Sequence, residues 1–258
     1  MQNEPVEHHE LSCFHMDWQD TGFFLSAKPY GEHAAIASVM TKHHGKRSGM
    51  IWNAKSKKMA SILTEGNQLS IVWRARLHEL LGTFKVELED QRTAIVFSGP
   101  IALNALNSIC NLLDSLLPQF DPHKNLYTET VCLLDKINAT QNWLIDYLEW
   151  EILLLKEIGF GLDLEKCAVT NSENDLVYIS PKSGCAVSKE GAGEWASKLF
   201  NLPQCMLSGK VKEQEEILDG LQITGHFLKK GFHPHSGLPK LPHSRLRLES
   251  SIRKKLSK

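Results

Sequence analysis

Six basic residues, Lys42, Lys46, Arg47, Lys55, Lys57 and Lys58, lie between Glu32 and Glu65, and no Asp or Glu interrupts them. Arg74 and Arg76 follow closely. Ammonium and guanidinium groups reach phosphate oxygens from a strand or a loop, and the release of condensed counterions drives such binding. Trp52 lies inside the run and Tyr30 just ahead of it. A ring beside a cationic groove can stack on the bases of a single strand. Met50 and Ile51 precede Trp52, so a place in the core is the competing expectation for that ring. The eight cations, with Trp52 and Tyr30 as stacking residues, form the candidate nucleic-acid site.

No other chemistry stands out. The chain has no G-x-x-x-x-G-K-[ST], no H-E-x-x-H and no G-x-S-x-G, so a catalytic role is not expected. The Gly159-Phe160-Gly161 sequence reads as a helix stop. Six cysteines, Cys13, Cys110, Cys132, Cys167, Cys185 and Cys205, form no C-x-x-C pair, and in a chain this long they read as reduced thiols. Cys110 and Cys132 fall in apolar helical patterns. Cys167, Cys185 and Cys205 are the nearest approach to a metal set. Thr170 and Ser188 stand three residues after Cys167 and Cys185, where a zinc knuckle needs its second ligand. His233 and His235 in HPH are a weaker signal still. Neither a metal nor a cofactor is expected.

The elements that would carry these residues change character along the chain. Thr21–Lys28, AAIASVMTKHHG, KRSGMIWNAK, GNQLSIVWRAR and TFKVELEDQRT read as five short strands. Ser56–Ser61 reads as a loop or a short helix. Five strands with no room for crossover helices predict a small antiparallel barrel, OB-type or SH3-like. From Ile101 the spacing becomes helical, with Leu103, Leu106, Ile109, Cys110, Leu113 and Leu116 on one face and Pro118 as the stop. Asp121-Pro122 opens a second helix and Asn142–Ile158 forms a third. Together these make a helical bundle. Leu176–Val187 reads as a hairpin turning at PKSG, and helices resume at Lys189–Leu199 and Val211–Lys229.

The domains follow from this. Residues 1–15 are an extension expected to be disordered. Residues 16–95 form the barrel, and 96–248 a helical domain with the hairpin insert at about 165–190. Residues 249–258 form a basic tail. The net charge of -1 conceals a pattern: residues 16–85 sum to +5, 86–225 to -11 and 226–258 to +8. Basic ends around an acidic middle suggest a polyanionic partner. The paired tryptophans Trp143 and Trp150 read as core, near a groove that could hold a short acidic-apolar peptide. The polar, acidic first 15 residues argue against a secretory signal. With no apolar run of membrane-spanning length, cytoplasm is the expected compartment.

The chain resembles the bacterial RecO family in its alphaproteobacterial form. The resemblance is carried by MDWQDTG at Met16–Gly22, Gly31-Glu32, His44-Gly45 and the basic run. Gly66-Asn67, WRARL at Trp73–Leu77 and LGTF at Leu81–Phe84 continue it. Further on come Leu126-Tyr127, EIGFGLDL at Glu157–Leu164, Cys167, YISPKSG at Tyr178–Gly184 and TGHFL at Thr224–Leu228. Together they span nearly all of residues 16–248. The resemblance implies an N-terminal OB domain and a helical domain with a zinc-ribbon-like insert. It implies a recombination mediator of the RecF pathway that binds single- and double-stranded DNA and anneals complementary strands. The partners it implies are RecR, the acidic C-terminal tail of single-stranded DNA-binding protein and, indirectly, RecA. Some members hold zinc with four cysteines in the insert. Only Cys167 and Cys185 stand near such positions here, so packing must hold the insert. A protein-binding scaffold with merely solvated charges is the alternative, and an unrecognised nuclease a third.

Overall fold

A 15-residue first strand organises the N-terminal half of the computed structural model, which describes residues 16–76, 81–92, 95, 98–139, 142–211, 213, 215–232 and 240–257. Strand β1 (Met16–Tyr30) pairs with β4 (Gln68–Ala75) through its first half and with β2 (Ala34–Thr41) through its second. Gly22 is shared by both ladders, opposite Thr41 and Leu69. A Cβ there would lie 2.6 Å from the Met40 carbonyl oxygen, so only glycine lets the strand bend between its two partners. Strand β3 (Gly45–Ile51), helix α1 (Lys57–Ile62) and strand β5 (Gly82–Asp90) complete a closed barrel of order β1-β2-β3-β5-β4. Closure is a short parallel contact, Gly49 and Met50 against Gly82 and Thr83. The barrel is OB-like. Its first strand is longer than the Thr21–Lys28 expected, because residues 16–20 pair with β4, and Pro29 and Tyr30 continue the pairing with β2.

Strand alternation divides the apolar residues between two cores. Phe24, Val39, Ile71, Trp73 and Phe84 fill the barrel. Phe23, Leu25 and Met40 point outward into a second core shared with the helices. Those helices are α2 (Pro100–Leu116), α3 (Lys124–Ala139), α4 (Trp143–Glu157), α7 (Glu215–Gly231) and α8 (His243–Leu256). Pro100 opens α2, where its missing N–H costs nothing. Trp143 and Trp150 are buried, as core residues.

Between α4 and α7 lies a three-stranded sheet of β6 (Leu176–Ile179), β7 (Ala186–Ser188) and β8 (Phe200–Asn201), with short helices α5 (Lys189–Ala192) and α6 (Cys205–Ser208). The helix expected over Lys189–Leu199 is one turn of α-helix followed by a 3₁₀ segment, Gly193–Lys198. The insert is tied to α7 by His226 Nε2 and Lys230 Nζ, both on the Pro181 carbonyl at 2.9 and 2.7 Å.

The basic tail expected after Leu248 is instead the second half of α8, with Leu248 and Ile252 buried in the shared core. Among residues 226–258, Arg245 is fully buried and unavailable to any external ligand. Residues 1–15 lie outside the described residues.

Candidate nucleic-acid interface

Strand β3 stops at Ile51, and the next four residues form a turn with Asn53 at φ 55°. Trp52, the first residue of that turn, follows buried Ile51 and falls on the opposite side of the alternation, where it is 60% exposed. The Ala54 N–H donates to the His33 carbonyl at 3.0 Å, tying this turn to the one after β1. Tyr30, 56% exposed, therefore stands at the same end of the β2–β3 hairpin as Trp52. Ser56 caps α1 by accepting from the Met59 N–H, and Lys55, Lys57 and Lys58 are exposed around that cap.

A groove of about 550 Å³ opens beside Trp52, between Met59 of α1 and the outer face of β4–β5. Arg74 and Lys85 line it, with Val72 and Thr83 between them. Arg74 is opposite Thr83 and Val72 opposite Lys85, so both cations project from one face. Their nearest carboxylates, Asp17 at 3.9 Å and Glu87 at 3.8 Å, are as exposed as the cations; such pairs are weak and readily exchanged for phosphate. Arg76 is exposed just past the end of β4.

The structure does not assemble all eight predicted cations. Lys42 is exposed but sits in the turn at the opposite end of the β2–β3 hairpin, about 20 Å from Trp52 at roughly 3.3 Å per residue. Lys46 and Arg47 are buried and cannot meet a phosphate chain. Lys46 faces the helical domain, where its Nζ donates to the Asp114 carbonyl at 2.5 Å. The Asp114 carboxylate accepts from Ser26 and Ser38 hydroxyls at 2.7 and 2.6 Å. Burial lowers the Lys46 pKa, and Asp114 opposes that shift. Arg47 points the other way. Its guanidinium lies 4.2 Å from the Phe120 ring centroid and within 5.7 Å of those of Trp18 and Trp73. These two charges join barrel to helices. Gly45 at φ 69° permits that approach, since a Cβ there would be 2.1 Å from the Asp121 carbonyl oxygen.

Two features of the barrel were not evident in the sequence. Lys85 sits among acids in KVELED, and only the period-two alternation separates it as a groove residue. The second is Asp20, which is buried and accepts from the His43 N–H at 2.8 Å, with His43 and His44 Nδ1 at 3.0 and 2.8 Å. Burial pushes the Asp20 carboxyl up, but these contacts outweigh it and leave the pKa below its ordinary value. Asp20 thereby pins the turn carrying Lys42.

The three thiols of the insert region do not converge. Cys167 Sγ accepts from the Ser188 N–H and hydroxyl at 3.2 and 3.3 Å, and from the Val169 and Thr170 N–H groups at 3.4 Å. Burial raises its pKa, yet the donors on Ser188 and Thr170 outweigh burial and hold it at about 6. Cys185 Sγ turns to the Ser183 carbonyl. Cys205 Sγ donates to the Glu216 carbonyl, and burial with Glu216 pushes it up to about 11. Among the described residues no group of three or more His, Cys, Asp or Glu side chains is placed to hold a metal. His233 and His235 lie outside the described residues. No helix among the described residues is long and apolar enough to cross a membrane.

Comparison with known proteins agrees with this architecture. Residues 16–92 match the family described as Recombination protein O N terminal, and residues 99–234 match Recombination protein O C terminal. The chain is 44% identical over 233 residues to the DNA repair protein RecO of Cereibacter sphaeroides, covering 90% of this chain and 97% of that protein. It is 40% identical over 241 residues to the RecO of a Ruegeria species, covering 93% and 100%. With the RecO of Paracoccus denitrificans it shares 43% over 238 residues, covering 92% and 96%. The barrel and the helical half each match their own family model, in order and over most of the chain, and the chain belongs to the RecO family.

Proposed function

We propose that this chain is a non-catalytic, DNA-binding recombination mediator of DNA repair. The observation that carries the reading is the groove beside Trp52, open to solvent and lined by Arg74 and Lys85, with the exposed Lys55, Lys57 and Lys58 following Trp52 closely in the chain. One strand lies there with its phosphates on Lys55, Lys57, Lys58, Arg74 and Arg76 and a base on Trp52; Tyr30 extends the stacking platform. Neutralising the phosphates of complementary strands removes their mutual repulsion and speeds annealing. With RecR, the mediator helps load the RecA recombinase on single strands coated by single-stranded DNA-binding protein.

The acidic tail of that coating protein fits a second place. Two adjoining hollows on the helical domain share Leu144 and Lys255. One is lined by Ile101, Ile137 and Trp143, the other by Ile217, Ile252 and Lys210. An apolar floor with two lysines at its edge suits a short acidic-apolar peptide.

A labelled single-stranded oligonucleotide, followed by anisotropy across a salt series with and without its complement, tests the reading. Salt-steep binding and faster annealing support it. Salt-insensitive behaviour would favour a protein-binding scaffold. Charge reversal at Lys255 should weaken an acidic tail peptide and leave DNA affinity in place.

A further inference from the structure

The geometry points to a second nucleic-acid contact, on the outward face of α8, that takes the phosphate backbone of a DNA segment. It rests on the DNA-binding reading given above. Helix α8 is divided sharply along its length. Ser244, Arg245, Leu248 and Ile252 face inward and are buried. Arg247, Ser250, Arg253 and Lys254 face solvent at the complementary spacing. Arg247 and Lys254 are seven residues apart and therefore lie on one line, about 10 Å from each other at 1.5 Å per residue.

The charge on this face is not neutralised locally. Glu249 is the single acid of α8, and it is already shared by two guanidiniums: Oε2 with Arg245 Nη1 at 3.5 Å and Oε1 with Arg253 Nη2 at 3.3 Å. No ion pair among the described residues involves Arg247 or Lys254. The neighbouring helix adds no repulsion. Two α2 side chains bordering α8 are amides: Asn104 donates to Ser251 Oγ at 3.1 Å and Asn111 to Ser244 Oγ at 3.2 Å.

The helix is also held rigidly. Arg245 is locked to Glu151 beneath it, so the exposed cations are presented without a cost in ordering the backbone. Neither hollow bordering α8 is lined by Arg247 or Lys254, and Leu246 is the one large apolar side chain of α8 that is exposed. A peptide needs a concavity for its side chains, whereas a phosphate chain needs only spaced cations.

This surface is separate from the Trp52 groove. On α2, Cys110 and Asp114 touch the barrel, while Asn111 touches α8, about 100° further round the helix. Helix α2 covers the β1–β2 side of the barrel, and the groove lies against β4–β5. One chain can therefore hold two DNA segments without competition between them.

The test uses the full chain carrying Arg247→Gln and Lys254→Gln, with an oligonucleotide long enough to reach both faces. The expected result is an unchanged melting temperature and a log K against log salt slope shallower by about 1.4, two contacts at roughly 0.7 each. Annealing should slow as well. An unchanged slope would overturn the inference. A Lys55→Glu, Lys57→Glu, Lys58→Glu variant serves as the comparison. Loss in that variant alone leaves the barrel reading standing and removes α8. A wild type without salt-dependent binding removes both. If the α8 variant loses affinity for an acidic peptide and not for DNA, the face belongs to a peptide and the inference fails.

Discussion

Arg245 Nε lies 2.5 Å from Glu151 Oε1, and both side chains are fully buried. Glu151 also accepts from the Tyr147 hydroxyl at 2.8 Å and the Thr224 hydroxyl at 2.5 Å. Ser108 and Tyr147 hydroxyls meet at 2.7 Å, and Arg245 Nη2 reaches the Leu221 carbonyl at 2.8 Å. Four helices, α2, α4, α7 and α8, are thus joined by one polar network inside an apolar core. Glu151 holds the Arg245 pKa above its ordinary value against the effect of burial.

Arg245→Ala leaves Glu151 buried without its counter-charge. The expected loss is about 3–5 kcal/mol, read as a fall in the urea midpoint. Truncation at Leu241 removes the same contacts along with Leu248 and Ile252, so it should unfold the helical domain and not merely trim a tail.

Lys46 and the α1 lysines should separate stability from binding. Lys46→Met removes a buried, charge-assisted bond to Asp114, worth about 1.5–3 kcal/mol. Urea melts should detect that loss, while the salt slope of DNA binding stays at the wild-type value. A slope reduced by Lys46→Met would mean that the buried ammonium reaches DNA after all.

The sequence already told much of this fold. Five strands, the bundle and the insert follow from periodicity, because a half-buried strand and an amphipathic helix leave different spacings. The charge run was legible as a group but not residue by residue. In β3, Lys46 and Arg47 look like Lys55 and Lys57, since strand alternation says only that neighbours face opposite sides. Here both sides are covered: one by α2, the other by Trp18, Trp73 and Phe120. That coverage comes from residues far along the chain and leaves no local trace. Arg245 was hidden for the same reason, as its partner Glu151 lies on another helix.

Trp52→Ala should weaken single-strand binding by about 1–3 kcal/mol, roughly 5- to 150-fold, the usual range for one stacked base. The ring is largely exposed, so thermal melting should be unchanged. A fall in melting temperature with normal affinity would place Trp52 in the structure and not in the site.

Cys167 gives a pH signature. Its folded pKa of about 6 lies below the ordinary thiol value of 9.0. A depressed acid stabilises the native state fully above the unfolded pKa, and the contribution is lost as pH falls through the folded one. Stability relative to Cys167→Ser should therefore rise between pH 6 and pH 9. A gap between the two proteins that stays constant over that range would contradict the thiolate cluster with Ser188 and Thr170.

The most direct test of the DNA-binding account is single-strand affinity of a Lys55→Glu, Lys57→Glu, Lys58→Glu variant, measured by anisotropy from low to high salt. These side chains are exposed and support no core contact, so the variant should melt like the wild type. The account predicts affinity at least about tenfold weaker at low salt and a shallower salt slope, because several phosphate contacts are lost. Wild-type affinity and slope in a folded variant would contradict it.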